Sequence, residues 1–142
     1  MSIFTDKITL STIKGFCEVI DITDLLNKII KKSKIKDGIL VVSVIGSTAG
    51  LTTIEAEPNL IRDFQELLKK LIPEDKRYHH DNTWGEANGF SHLRASLIGP
   101  SLSLSVSDGK LDLGNWQQIV FCDFDNRARR REIIVKIIGE QS

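Results

Sequence analysis

All three histidines of this 142-residue chain fall within fourteen positions. His79, His80 and His92 lie in the stretch YHHDNTWGEANGFSHLRASLIGP, from Tyr78 to Pro100. Imidazole is the side chain that ligates metals and exchanges protons near neutral pH. Placed on a helix at about 100° per residue, NGFSHLRASLIG gathers Phe90, Leu93 and Leu97 on one side, the expected core side. His92 and Ser96 lie one turn apart and off that stripe, so His92 is expected to face a cavity or a neighbouring subunit. His79 and His80 are adjacent in what reads as an extended loop, so their side chains diverge and at most one shares a site with His92. Two imidazoles plus a carboxylate form a familiar set for a divalent ion. Asp81, Glu86, Glu55 and Glu57 are the candidate acids, and Glu55 and Glu57 project from the same strand face. Such an ion acidifies a bound water and holds an anionic substrate. The competing reading is plain: solvated polar residues on a loop.

Two other constellations suit anions. In IGSTAGLTTIE, the turn Gly46-Ser47-Thr48-Ala49-Gly50 can direct backbone N–H groups and hydroxyls at a phosphate. No Gly-Lys-Ser/Thr follows, so it is not a P-loop. In DNRARRRE, Arg127, Arg129, Arg130 and Arg131 form a basic turn, and Arg129 is a candidate for bidentate phosphate binding. Alternation puts Arg129 and Arg131 on one face and Arg130 on the other. The competing reading is a solvated hairpin tip balanced by Asp123, Asp125 and Glu132.

The elements that must position these groups follow from periodicity. FTDKITLSTI and GFCEVIDI read as strands. Asp21 or Thr23 caps a helix over DLLNKIIKKS with a stripe of Leu25, Ile29 and Ile30. DGILVVSVIGST has little polar alternation and reads as a central, buried strand. AGLTTIEAE is another strand. Pro58 suits the first turn of the helix PNLIRDFQELLKKLI, with Leu60, Ile61, Phe64, Leu67, Leu68 and Leu71 on one face. Glu74 to Gly85 is a loop. SLSLSVS alternates strictly, and Asp108-Gly109 marks a hairpin. KLDLG, WQQIVFCDF and REIIVKIIGE complete a β-rich end. Trp116 is expected in the core or at a subunit interface, and only one of Gln117 and Gln118 is expected to face a pocket. The total is about seven strands, in a mixed or antiparallel sheet, and three helices. This is an α+β class in one domain over residues 1–142.

Lys+Arg and Asp+Glu are both 19, a formal net charge of zero. That argues against a polyanion binder and hence against a nucleic-acid partner. It also leaves self-association unopposed. Cys17 and Cys122 are far apart inside apolar runs and read as buried, reduced thiols. No signal peptide and no apolar run near 20 residues is evident, so no membrane partner is expected and the cytoplasm is the expected compartment.

The blocks GSTAGLTTIEAEP, YHHDNTWGEANGFSHLRASLIGPSLSLSV and DGKLDLGNWQQIVFCDFDNRARRREIIVKIIGE follow one another over nearly the whole chain. Together they closely resemble the YjbQ-type family, in wording similar to its archaeal branch. Its members are often described as secondary thiamine-phosphate synthases. The resemblance implies a compact α+β domain, a homotrimer, and a pocket near the histidines holding a divalent ion such as zinc or magnesium. The family's Tyr-x-His falls on Tyr78 and His80, its His-Leu on His92 and Leu93, and the acid of its TIE segment on Glu55. Many bacterial members open the STAG block with a histidine where this chain has Gly46. A third ligand here would have to be His79 or an acid. The implied activity joins a pyrimidine pyrophosphate to a thiazole phosphate. A divalent ion would stabilise the departing pyrophosphate, with phosphates held by cations or N–H donors. His80 and His92 are then the metal ligands, and with Glu55 the catalytic set. Ser47 and Thr48 face the phosphates. The alternative is a trimer that binds a metal or metabolite without turnover.

Overall fold

The run QIVFCD is apolar without alternation because it is covered on both faces. In the computed structural model, which describes residues 1–141, this segment is a strand, Gln118–Asp123 (β7), and every residue from Ile119 to Asp123 is buried. Ile119 and Phe121 enter one apolar cluster; Val120 and Cys122 enter a second, joined by Phe124. A strand sandwiched between two cores has no wet face to encode.

Two antiparallel sheets build the molecule. The larger has five strands in the order β1-β8-β3-β5-β6: Ser2–Ser11, Arg130–Glu140, Asp37–Ile45, Ser101–Ser107 and Lys110–Leu111. The smaller has three strands, with β7 central between β2 (Glu18–Asp21) and β4 (Ala49–Ile54). The first core lies between the sheets. Leu40, Val42, Val44, Ile133, Val135 and Ile137 of the large sheet meet Leu51, Ile119 and Phe121 of the small one. Helix α1 (Thr23–Ser33) adds Leu26, Ile29 and Ile30. The second core lies on the far face of the small sheet, under α2 (Pro58–Leu71) and α3 (Gly89–Ile98). Each large apolar side chain so enclosed stabilises the fold by roughly 1.5–3 kcal/mol.

The α+β class, the three helices and the central place of β3 agree with the sequence reading. The sheet is antiparallel and divided in two, with eight strands among the described residues. Other expectations change. DNRARR does not close a hairpin, because β7 and β8 belong to different sheets and the segment carries the chain between them. Leu67 and Leu71 of α2 are 52% and 58% exposed, and Leu68 is its one buried residue. In α3 the inward face is Phe90, Ser91, Arg94 and Ala95, whereas Leu93 and Leu97 stand 48% and 59% exposed. Polar bonds turn that helix. Ser91 Oγ donates to the Phe124 carbonyl at 2.6 Å, and Arg94 Nη2 donates to the Ile72 carbonyl at 2.8 Å. The cysteines are free and buried as expected. Burial pushes the Cys17 thiol up to about 12 and Cys122 well above its ordinary range. No helix is long and apolar enough to cross a membrane among the described residues.

Candidate functional site

Three short, helix-free connections cross between the sheets at one end of the molecule. They leave β1 for β2 (12–17), β3 for β4 (46–48) and β7 for β8 (124–129), where Ser11 pairs with Arg130 and Asp123 with both Glu18 and Ala49. Backbone donors and acceptors freed there need partners, and side chains supply them. Asp123 and Asp125, both fully buried, face Arg129 and Arg131. Arg131 donates from Nη2 and Nε to the two Asp123 carboxylate oxygens at 2.9 and 3.2 Å. It also donates to Thr48 Oγ1 at 2.6 Å. Arg129 Nε donates to Asp125 Oδ2 at 2.7 Å. Thr12 Oγ1 donates to Asp123 at 2.8 Å and accepts from the Arg129 N–H at 2.8 Å. Two acids and two guanidiniums make the cluster neutral, which is how buried charge is tolerated. Burial alone would push the Asp125 carboxyl up. Hydrogen bonds from Asn88 and the Asn126 N–H, with the Arg129 guanidinium, instead hold it below the usual carboxylate range.

Asn88 links this cluster to the histidines. It is buried, donates from Nδ2 to Asp125 at 3.1 Å, and immediately precedes α3. Gly89 then lies so close to the preceding loop that an added Cβ would stand 2.8 Å from Tyr78 Cβ and 3.2 Å from His80 Cβ. Only glycine permits that approach, and it brings His80 to His92. Their ring centroids are 4.7 Å apart with the planes at 44°. The loop is not extended here. His79–Asn82 forms a single 3₁₀ turn, with the Tyr78 N–H on Asp81 Oδ2 at 3.0 Å. Tyr78 OH donates to the Pro73 carbonyl at 2.6 Å and Arg94 holds Ile72 and Glu74, so the loop is fastened at its start. His79 points elsewhere, into a cavity of about 250 Å³ shared with Lys76, Arg77, Tyr78 and Asn82, which contains neither His80 nor His92.

Three buried polar atoms around the pair have no partner among the described residues: His80 Nδ1, Asp81 Oδ1 and Asn88 Oδ1. His92 is held neutral more strongly than a free imidazole. Burial, then the neighbouring His80, lower its pKa against the opposing pull of Asp125, Glu86 and a backbone hydrogen bond with Ser47. That contact places the exposed Ser47 beside His92.

The other sequence candidates are dispersed. Thr48 is buried and its hydroxyl already serves Arg131 and Asp125. Arg129 spends its guanidinium on Asp125. Glu55 is exposed and follows Ile54, the end of β4 opposite Ser47. Seven residue steps along β4, about 23 Å when extended, separate it from Thr48. Glu57 caps α2 by accepting from the Asn59 and Leu60 N–H groups at 2.9 and 2.8 Å. Accordingly no group of three or more His, Cys, Asp or Glu forms a metal cluster among the described residues. Sequence reasoning missed Asn88, Asp123, Asp125 and Arg131 as parts of one unit. The available signal was an Asp-x-Asp that begins at the last residue of the most apolar strand, a position where a carboxylate is buried with its strand.

A family described as "UPF0047 protein YjbQ-like" matches residues 6–140. The UPF0047 protein of Methanocaldococcus jannaschii is 42% identical over 125 residues, 87% of each chain. That of Archaeoglobus fulgidus is 39% identical, covering 93% of this chain and 99% of the other. A crystal structure of a YbjQ-like protein of unknown function from Sulfolobus solfataricus superposes with a TM-score of 0.92 at 33% identity, covering 98% and 99% of the two chains. The chain therefore belongs to the YjbQ-like UPF0047 family, at residue identities shared with archaeal members.

Proposed function

We propose that His80 and His92 hold one divalent metal ion, and that this ion receives a phosphorylated small molecule. The observation that carries the reading is the convergence of two imidazoles whose ring centroids lie 4.7 Å apart, one with its Nδ1 buried and unpartnered. The residues fit such an ion as two ligands of a larger set. An ion about 2.1 Å from a nitrogen of each ring separates the centroids by about 5 Å. His92, biased to the neutral form, keeps a lone pair available at pH 7. Imidazole donors favour zinc over magnesium.

With the third and fourth positions outside the protein's own donor set, water, a phosphate oxygen or a neighbouring subunit completes the coordination. Such an ion neutralises charge on a departing phosphate or pyrophosphate. The chain's own contribution is positional. Gly89 and the 3₁₀ turn bring His80 against His92, and the exposed Ser47 is the candidate donor to a phosphate oxygen. The neutral Asp–Arg cluster beneath keeps the three crossing segments in register.

Group transfer between phosphorylated small molecules is the catalytic form of this reading; thiamine phosphate formation is the named instance, in which the pyrimidine's methylene carbon bonds to the thiazole nitrogen as its bond to pyrophosphate breaks. Binding without turnover is the second form, favoured by the distance of Glu55, which removes the carboxylate that the family resemblance assigns to the catalytic set. One assay separates them. Purified protein is incubated with the pyrimidine pyrophosphate, the thiazole phosphate and magnesium or zinc, beside His80→Ala and His92→Ala. The catalytic form requires thiamine phosphate to accumulate above both variants. Equal traces in all three leave binding alone.

A further inference from the structure

At the end of the sheets opposite the histidines, two cavities meet at the Asp108–Gly109 hairpin. The first, about 420 Å³, is lined by Thr23, Asn27, Asn115, Gln117 and Gln118 together with Lys31 and Lys110. The second, about 360 Å³, is lined by Lys31, Lys34 and Lys36 and shares Lys31 and Gly109 with the first. No aspartate or glutamate lines either. None of the four lysines forms an ion pair among the described residues, although this chain pairs other cations at Lys7, Lys32, Arg62 and Arg94. A chain of zero net charge thus concentrates four unneutralised ammonium groups around one turn.

The amides leave their donors free. Gln118 Oε1 accepts from the Ala56 N–H at 2.8 Å and Gln117 Oε1 from the Gly114 N–H at 3.0 Å. Their Nε2 groups have only contacts at 3.5 Å, the outer limit of a hydrogen bond. Asn27 is half-buried and its amide bonds nothing among the described residues. Both glutamines line this one cavity, contrary to the alternation expected of them, because Gln117 precedes the first residue of β7. Trp116, between Asn115 and Gln117, is 74% exposed rather than packed in the core. Its side chain lines neither cavity, but its position in the chain between two cavity-lining residues makes it a nearby fluorescent reporter.

We propose that this double cavity binds a nucleoside polyphosphate. The amides of Asn27, Asn115, Gln117 and Gln118 read the hydrogen-bonding groups of base and sugar. Lys31, Lys34, Lys36 and Lys110 take the phosphates. Ammonium groups suit this role as mobile point charges. The site is independent of the histidine pair, from which the length of β3 separates it.

The test is titration of the full chain with ADP, in a Trp84→Phe background so that fluorescence reports Trp116, with calorimetry alongside. ADP is expected to quench the signal and saturate below millimolar concentration, and pyrophosphate to compete more weakly. Lys31→Gln with Lys110→Gln is expected to weaken ADP binding by about tenfold or more, with unchanged thermal unfolding because both side chains are exposed. His80→Ala and His92→Ala should leave it intact. Absence of saturation, full binding by the lysine variant, or loss in the histidine variants would each overturn the proposal. So would much tighter, lysine-dependent binding of a single-stranded RNA oligonucleotide, which would make the surface a polynucleotide site instead.

Discussion

At the scale of the residue, His92 carries a pH signature. Its folded pKa lies below the ordinary 6.5, with burial and His80 as the main causes. The unfolded chain therefore binds the proton more readily, and acid favours unfolding. The stability linked to neutral His92 is present in full above pH 6.5 and is lost as pH falls through the lower folded value. Unfolding midpoints measured from pH 8 to 5 are expected to drop on the acid side, and His92→Gln is expected to flatten that drop. An unchanged slope in the variant would count against a desolvated His92. Arg131 makes the complementary case. It is 7% exposed and answers the fully buried Asp123. Arg131→Met strands that carboxylate, and urea unfolding should show a loss of about 3–5 kcal/mol. A loss below about 1 kcal/mol would mean that water reaches the cluster.

At the scale of the element, the decisive contact is a glycine. Gly89→Ala must push the 3₁₀ turn away from α3, because the new Cβ would meet Tyr78 Cβ at 2.8 Å. The expected result is a fold that persists with a weaker metal site, read as reduced zinc affinity and shifted His80 and His92 resonances. Retained affinity would show that the pair does not depend on this approach. Elements also show how far the sequence was legible. Strict alternation gave β5, Pro58 gave the start of α2, and Asp108-Gly109 gave the turn between β5 and β6, because each signal is local. The burial of Arg94 and the exposure of Leu93 and Leu97 were hidden, since the helix is oriented by Phe124, Ile72 and Glu74, all distant in sequence. For the same reason the arginine turn read as solvated. Its acids are buried only because three crossings from different sheets meet there. That at most one of His79 and His80 shares a site with His92 was legible in the sequence, and the choice of His80 came from the family resemblance. The placing of Glu55 beside them was not, because the direction of β4 is set by its pairing with β7.

At the scale of the whole molecule, apolar surface remains to be covered. Leu67, Leu71, Leu93 and Leu97 on α2 and α3 are each about half exposed or more, and Ile3, Ile39 and Ile138 adjoin one another on the outer face of the large sheet. Monomers rarely leave such surface open. A homotrimer, implied by the family resemblance, is the proposed assembly. Light scattering should then return three times the 15.9 kDa of one chain. Leu93→Glu with Leu97→Glu should lower that mass if the helical face is the contact. A 15.9 kDa species in the unmodified protein would refute the trimer.

The central claim is that one chain's His80 and His92 together hold a metal ion. The direct measurement is zinc titration of chelator-treated protein, with bound metal counted by elemental analysis, beside His80→Ala and His92→Ala. About one tightly held ion per chain is predicted for the parent and a loss of that binding in each variant. Equal metal content in all three proteins, or none in the parent at saturating zinc, would contradict the claim.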